Sequence, residues 1–274
     1  MHTYTADKRR PLYRFLSMLL AVLFLCSALG GCVVTVERTD DADIPVGGDL
    51  GGDDSGTGDR PRVALTFDDG PNHYQNRTKN YVDELNKYGY KATFFVVGNR
   101  VMGGDAVKYI VDNGMEIGIH GYTHNVYYDG CTEEAFFREM NLTAEAIHKQ
   151  VPDYEIKLMR PVGGHISSEI AAVCPYAIIQ WSVDSDDWNN TYASGDGAVG
   201  EDGKTGWDRK AEKIVDNVLK NLKDGDIILM HDIYESTYDA TVILLARLHE
   251  MGYEVVTVSE LLGEVQAGQI YHKK

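Results

Sequence analysis

From residue 62 onward the chain alternates short apolar runs with longer amphipathic stretches. Residues 63–67, 92–97, 115–119, 157–159, 177–183, 226–230 and 254–258 are brief and largely apolar, as strands are. Helical spacing appears between them. Tyr81, Leu85 and Tyr88 share a face over 81–88, and Gly89 then ends the segment. Residues 105–113 predict a helix stopped at Gly114. Residues 132–150 predict a longer one, with Thr132 as N-cap and the acids Glu133 and Glu134 in its first turn. Ser168 is expected to cap a short helix before Cys174 and Pro175. Ile214, Val218 and Leu222 mark an amphipathic helix over 208–223, and another covers 238–250. Strands alternating with helices predict a parallel α/β architecture, and about 200 residues of such alternation fit one domain. Residues 189–206 break the pattern. This Gly-rich polar stretch is long for a connection, and its departure from Trp188 predicts that it borders a substrate groove.

The apolar runs end on polar residues of a particular kind. The first delivers Asp68 and Asp69 onto the turn Gly70-Pro71. Adjacent carboxylates with no cation nearby in sequence suit a metal site or proton transfer; the plainer reading is an acidic turn. The third run ends at His120, with His124 four residues on. Two histidines and one carboxylate make the three-ligand set of a catalytic zinc site with an open position, although such a pair also arises by chance in cores and on surfaces. Later runs end at Arg160, followed by Pro161, Val162, Gly163 and Gly164; at Asp184, Ser185, Asp186, Asp187 and Trp188; and at His231 with Asp232.

In this order and spacing the five segments resemble the NodB-type polysaccharide deacetylases, carbohydrate esterase family 4, over residues 62–262. The resemblance implies an α/β fold, a deformed (β/α) barrel with its site at the C-terminal ends of the strands, where barrel enzymes place their chemistry. It implies that Asp69, His120 and His124 hold one divalent metal ion, zinc first, with cobalt, nickel or manganese also suited to such donors. Asp68 then corresponds to the general base and His231 to the general acid, with Arg160 orienting Asp68 and Asp187 orienting His231. Trp188 and Leu229 correspond to the apolar wall around the acetyl methyl group, and Gly163 to the backbone N–H used for the oxyanion. Ordinary core packing is the alternative for Trp188 and Leu229, a surface ion pair for Arg160, and a core histidine satisfied by backbone for His231. Asp184, Asp186 and Asp232 are expected to be local hydrogen-bonding or capping groups. His73, His148, His165, His249 and His272 lie outside the motifs, with His165 near enough to the third to face the groove. Two positions depart from the family pattern. Gly121 stands where the second motif commonly has Ser or Thr, which predicts the loss of a supporting hydrogen bond. Gly163 stands where the third has Tyr, which removes a phenol ring from the groove.

Acidic residues outnumber basic ones 42 to 26, a formal charge of -16, and this disfavours nucleic acid as a partner. Residues 1–31 have the three-part pattern of a secretory signal: Lys8, Arg9, Arg10 and Arg14, the apolar run 15–29, then small residues before Cys32. Leu29, Gly30, Gly31 and Cys32 are similar to a lipobox, whose lipidated cysteine would tie the chain to the outer face of a bacterial membrane. An uncleaved membrane helix is the other reading, because apolar residues continue with interruptions to Val36. Either reading places the rest outside the cytoplasm. Residues 32–60, rich in Asp and Gly, predict a flexible tether, 61–265 the catalytic domain and 266–274 a short tail. Cys131 and Cys174 either form a disulfide, which needs Cα atoms within about 7 Å, or stand as separate thiols. The implied activity is removal of N-acetyl groups from a cell-wall polysaccharide, peptidoglycan N-acetylglucosamine first and chitin-like polymers next. The alternatives are an esterase for O-acetyl groups on acetylated xylan or another glycan, and a surface lipoprotein that binds glycan or metal without turnover. Retention of both Asp68 and His231 favours an enzyme. Nothing in the sequence specifies an oligomeric state.

Overall fold

The computed structural model describes residues 60–189 and 204–274. The expected leader, lipobox and tether, and residues 190–203 of the expected groove-side loop, lie outside the described residues. In chain order the strands are β1 (Arg62–Asp68), β2 (Thr93–Val96), β3 (Glu116–Ile119), β4 (Leu158–Met159), β5 (Ala177–Ile179), β6 (Val183–Asp184), β7 (Ile227–His231), β8 (Glu254–Val256) and β9 (Ile270–Tyr271). The helices are α1 (Arg77–Lys87), α2 (Gly98–Val101), α3 (Ala106–Asp112), α4 (Glu133–Gln150), α5 (Ser168–Val173), α6 (Gly206–Leu219), α7 (Glu235–Glu250) and α8 (Val258–Leu262). The strands form one sheet ordered β6-β7-β1-β2-β3-β4-β5-β9, with β8 also on β1, and the pairings between them are parallel.

The strand expected over 177–183 is divided, and its two pieces pair toward opposite ends of the sheet order. β5 pairs with β4 and β9, whereas β6 pairs with β7 near the other end of the sheet order. Gln180 N donates to Tyr271 O and Ser182 N to Ile227 O, so three residues carry the chain from one edge to the other. Arg160 takes the carbonyls left over: its Nε donates to Ile179 O at 3.1 Å and its Nη2 to Gln180 O at 3.0 Å. The result is the deformed (β/α) barrel that the sequence predicts. Residues past 265, expected as a tail, instead supply β9, which covers the free edge of β5.

Alternation along β1 decides what faces where. Val63, Leu65 and Phe67 join the large cluster packed under the helices. Ala64 joins a second cluster with Phe95, Leu158, Ile179, Ile227 and Val258. Thr66 and Asp68 share the parity of Ala64, so that row runs from apolar to polar toward the C-terminal end of the strand.

The helices follow their capping chemistry. Thr132 accepts from Ala135 N at the start of α4, as expected. The cap of α5 is Ser167, one residue earlier than expected, because its side chain reaches Ile170 N. Thr205 and Asp208 form a reciprocal capping box that starts α6 at Gly206. α6 stops at Leu219, short of 223, where Lys223 N is already bonded to the Asp226 carboxylate. Cys131 and Cys174 are both free thiols. Among the described residues no helix is long and apolar enough to cross a membrane.

Candidate active site

Asp68 ends β1, and Arg160, the first residue after β4, meets it. The guanidinium is fully buried, with its carbon 4.3 Å from the centre of the Phe95 ring. Its Nη1 donates to Asp68 Oδ1 at 2.8 Å and to Thr66 Oγ1 at 2.7 Å. Burial pulls the Arg160 pKa down while the Asp68 charge opposes the shift. Arginine stays cationic at any working pH, so Asp68 faces a permanent positive charge.

Asp69 departs from the strand with φ +74°, which brings its carboxylate to His120 and His124. Arg100 Nη1 holds the Asp69 carbonyl in that left-handed turn. His120 follows β3, and its Nδ1 lies 2.9 Å from Arg160 O. A carbonyl can only accept, so Nδ1 carries the proton and Nε2 presents a lone pair. The Nε2 atoms of His120 and His124 lie 3.5 and 2.8 Å from Asp69 Oδ1. One donor atom from each of the three residues falls within 4.8 Å of the others. Asp69 Oδ1 is buried with no partner in hydrogen-bonding geometry, a costly state that a cation at the centre of the triad would relieve. The donor set therefore fits a divalent metal. Burial alone would raise the Asp69 pKa; contact with His124 and the charges of His120 and His231 outweigh it and hold the carboxyl well below the usual range. Burial pushes the His120 pKa down, toward the neutral form a metal ligand needs, against the pull of Asp68 and Asp69.

The segment carrying His124 has a support that the motifs do not show. Glu139, on the buried stripe of α4 with Phe136, Met140 and Thr143, accepts from Tyr122 N at 2.7 Å and Thr123 N at 2.8 Å. Thr123 Oγ1 adds a third donor at 3.1 Å. The hydrogen bond expected to be lost at Gly121 is thus matched by others from a helix. Gly121 itself is needed: its φ is +80°, and a Cβ there would come within 2.6 Å of the Tyr128 hydroxyl. The sequence signal available for Glu139 was a carboxylate in line with Phe136, Met140 and Thr143 on one helical face.

His231 ends β7, and Asp187 binds it twice. The His231 backbone N–H donates to Asp187 Oδ2 at 2.8 Å and ring Nδ1 to Oδ1 at 2.7 Å, with Thr237 Oγ1 also donating to Oδ2. Burial lowers the His231 pKa, but the Asp187 bond and charge outweigh it and raise the value to about 9. The imidazolium is therefore the resting form near neutral pH, with Nε2–H as its remaining donor.

A cleft of about 340 Å³ joins these groups; Asp68, Asp69, His120, His124 and His231 line it, together with Gly163, Trp188 and Leu229. Every residue expected at the site is thus at this cleft or, for Arg160 and Asp187, directly behind it. Tyr127, Trp181 and Tyr234 also line it and were not foreseen. Asp184 borders the cleft and accepts from Asp186 N, a local role as expected. Asp232 is more than a local group. It is fully buried behind Gly70, accepts from Thr78 Oγ1, and burial raises its pKa to about 7. His165 is exposed beside the cleft, packed edge-on against Tyr127.

Residues 55–177 match the family profile described as polysaccharide deacetylase. A peptidoglycan-N-acetylglucosamine deacetylase of Bacillus cereus is 34% identical over 209 residues, covering 73% of this chain and 87% of that one. The chain belongs to the polysaccharide deacetylase family. Another relative in this deacetylase family, the peptidoglycan-N-acetylglucosamine deacetylase PgdA of Listeria monocytogenes, is 34% identical over 215 residues, 78% of this chain. The chain spans only 41% of that relative's length. Among solved structures, a family 4 acetyl xylan esterase from Clostridium thermocellum in complex with a cobalt ion superposes with a TM-score of 0.66 at 27% identity, covering 77% of this chain and 98% of that one. The barrel described above is therefore that of the polysaccharide deacetylases.

Proposed function

We propose that the protein hydrolyses N-acetyl groups on a cell-wall polysaccharide, with peptidoglycan N-acetylglucosamine as the first substrate. The observation that carries this reading is the pairing of two separately held groups across one cleft. On one side Asp68 is pinned by Arg160 next to the Asp69, His120 and His124 triad; on the other His231 is charged through Asp187. Amide hydrolysis needs a proton taken from water and another given to a poor amine leaving group, and these two residues supply one each.

A divalent cation held by Asp69, His120 and His124 would supply Lewis-acid polarisation of the carbonyl and lower the pKa of the attacking water. Asp68 takes the proton from that water as the new C–O bond forms. The Gly163 backbone N–H is assigned to the oxyanion, and Leu229 and Trp188 to the acetyl methyl. His231 Nε2–H then protonates the amide nitrogen as the C–N bond breaks, releasing acetate and a free amino sugar. Proton return from Asp68 to His231 through solvent resets the pair. Zinc is proposed as the metal, with cobalt, nickel or manganese suited to the same donors. Residues 1–31 as a lipoprotein signal and 32–60 as a tether would hold the enzyme at the outer face of the membrane, within reach of the wall.

Likeness to an acetyl xylan esterase supports a second substrate class, O-acetyl esters. Acetate release from N-acetylglucosamine oligomers, purified peptidoglycan and acetylated xylan separates the two, using metal-stripped protein with and without added zinc. Zinc-dependent release from the first two supports the amidase. Release from xylan alone establishes the esterase.

A further inference from the structure

Tyr127 is 54% exposed, although the backbone that carries it is fixed. Its neighbour Tyr128 is fully buried against Phe136, Tyr128 N donates to His165 O at 3.2 Å, and Ser167 N donates to Tyr128 O at 3.0 Å. Adjacent residues of an extended segment point to opposite sides, so locking Tyr128 inward holds the Tyr127 ring outward at the cleft. The ring stands edge-on to the His165 imidazole, with centroids 5.8 Å apart and planes at 82°. His165 Nδ1 lies 3.4 Å from Asp129 Oδ2. Below the ring is Gly163, with φ +61°, where a Cβ would come within 3.2 Å of Tyr127 Cε1 and 3.1 Å of His165 Cδ2. The glycine that removes one ring from the groove thereby leaves room for another, delivered from a different loop.

Trp188 is the other exposed ring in the cleft. It follows β6, Tyr127 follows β3, and β7, β1 and β2 stand between them in the sheet. The two rings therefore rise on different sides of the Asp68–Asp69 turn. An ordered aromatic face left in water, with an imidazole and a carboxylate beside it, is the composition of a site for an amphipathic ligand such as a pyranose, whose C–H face stacks while its hydroxyls take hydrogen bonds.

We propose that Tyr127, His165 and Asp129 form a sugar subsite next to the metal triad, which binds the pyranose adjoining the one that loses its acetyl group. This rests on the deacetylase reading of the same cleft and deepens it by naming the residues of this chain that hold the neighbouring ring. Tyr127 supplies the stacking face, and the His165 and Asp129 pair takes hydroxyls of the same ring.

The test uses the zinc-loaded full chain with N-acetylglucosamine oligomers from dimer to pentamer, reading acetate release and, in parallel, calorimetric binding of the tetramer. Tyr127→Ala is expected to raise KM for the tetramer about ten-fold, with a smaller change in kcat, as loss of one aromatic contact gives. Tyr127→Phe restores KM because the ring is kept, and His165→Ala weakens tetramer binding in the same direction as Tyr127→Ala. An unchanged KM in Tyr127→Ala, with the parent enzyme active, overturns the subsite. So does a joint fall of kcat and bound zinc, which would mark Tyr127 as support for the His124 loop. If the parent binds the tetramer without releasing acetate, the deacetylase reading fails; weaker binding by Tyr127→Ala still sustains the subsite, and equal binding overturns it too.

Discussion

Asp187 grips His231 at two points, the backbone N–H and ring Nδ1, which fixes both where the imidazole sits and which nitrogen it offers to the cleft. The raised pKa of about 9 is a consequence of that contact, since burial works against it. In metal-free protein the His231 ring should titrate near 9 by NMR. In Asp187→Asn it should fall to or below the ordinary histidine value of about 6.5. Because the folded value is the higher one, the charged pair stabilises the fold fully below about pH 6.5, and that contribution is lost as pH rises through about 9. Urea midpoints of the parent should accordingly decline over that window more steeply than those of Asp187→Asn.

Asp68→Asn separates metal binding from proton transfer. The amide keeps the size of the carboxylate and an acceptor for Arg160, so the triad should bind zinc nearly as before. Turnover should fall by roughly 100-fold or more, the range that general-base catalysis supplies. Undiminished acetate release from the variant would remove Asp68 from the mechanism.

Arg160 is buried with four hydrogen-bond acceptors and two aromatic rings, Phe95 and Trp181. Arg160→Met leaves the Asp68 charge buried and unpaired, which should destabilise the fold by about 3 to 5 kcal/mol. Arg160→Lys retains a charge but cannot reproduce the planar fork, and should recover only part of that loss. Denaturant unfolding of the two variants provides the comparison; a change under 1 kcal/mol in Arg160→Met, less than about a third of the expected loss, would contradict this account.

Glu139 touches neither substrate nor metal, yet it orders the backbone between His120 and His124. Removal of such a support typically costs about 10- to 100-fold in metal affinity. Glu139→Ala should show that loss in chelator-competition titrations with zinc. Glu139→Gln, which keeps one acceptor for the two N–H groups, should lose less. Equal zinc affinity in all three proteins would make Glu139 a plain core residue.

The parts of the fold readable from sequence were those in which one residue type serves one purpose. Thr132 capped α4 because its hydroxyl has a free N–H three residues on, and the polar ends of β1, β3, β4 and β7 stood out against apolar runs. The division of 177–183 was not readable, since Ile178, Ile179 and Val183 are equally suited to one strand or two; the break depends on Arg160, some twenty residues away in sequence. Glu139 and Tyr127 were missed for a related reason. Each reaches the site from an element whose own pattern, an amphipathic helix or a polar loop, is complete without it.

Arg160 bonds the carbonyls at the crossing between β5 and β6 with one side of its guanidinium and Asp68 with the other. Ordering of the crossing between β5 and β6 and positioning of the base thus depend on one side chain. A chain with this crossing disordered has no ordered carboxylate at Asp68 beside the triad. Loosening the wall of the sheet and misplacing the base are therefore the same defect, reached through one side chain.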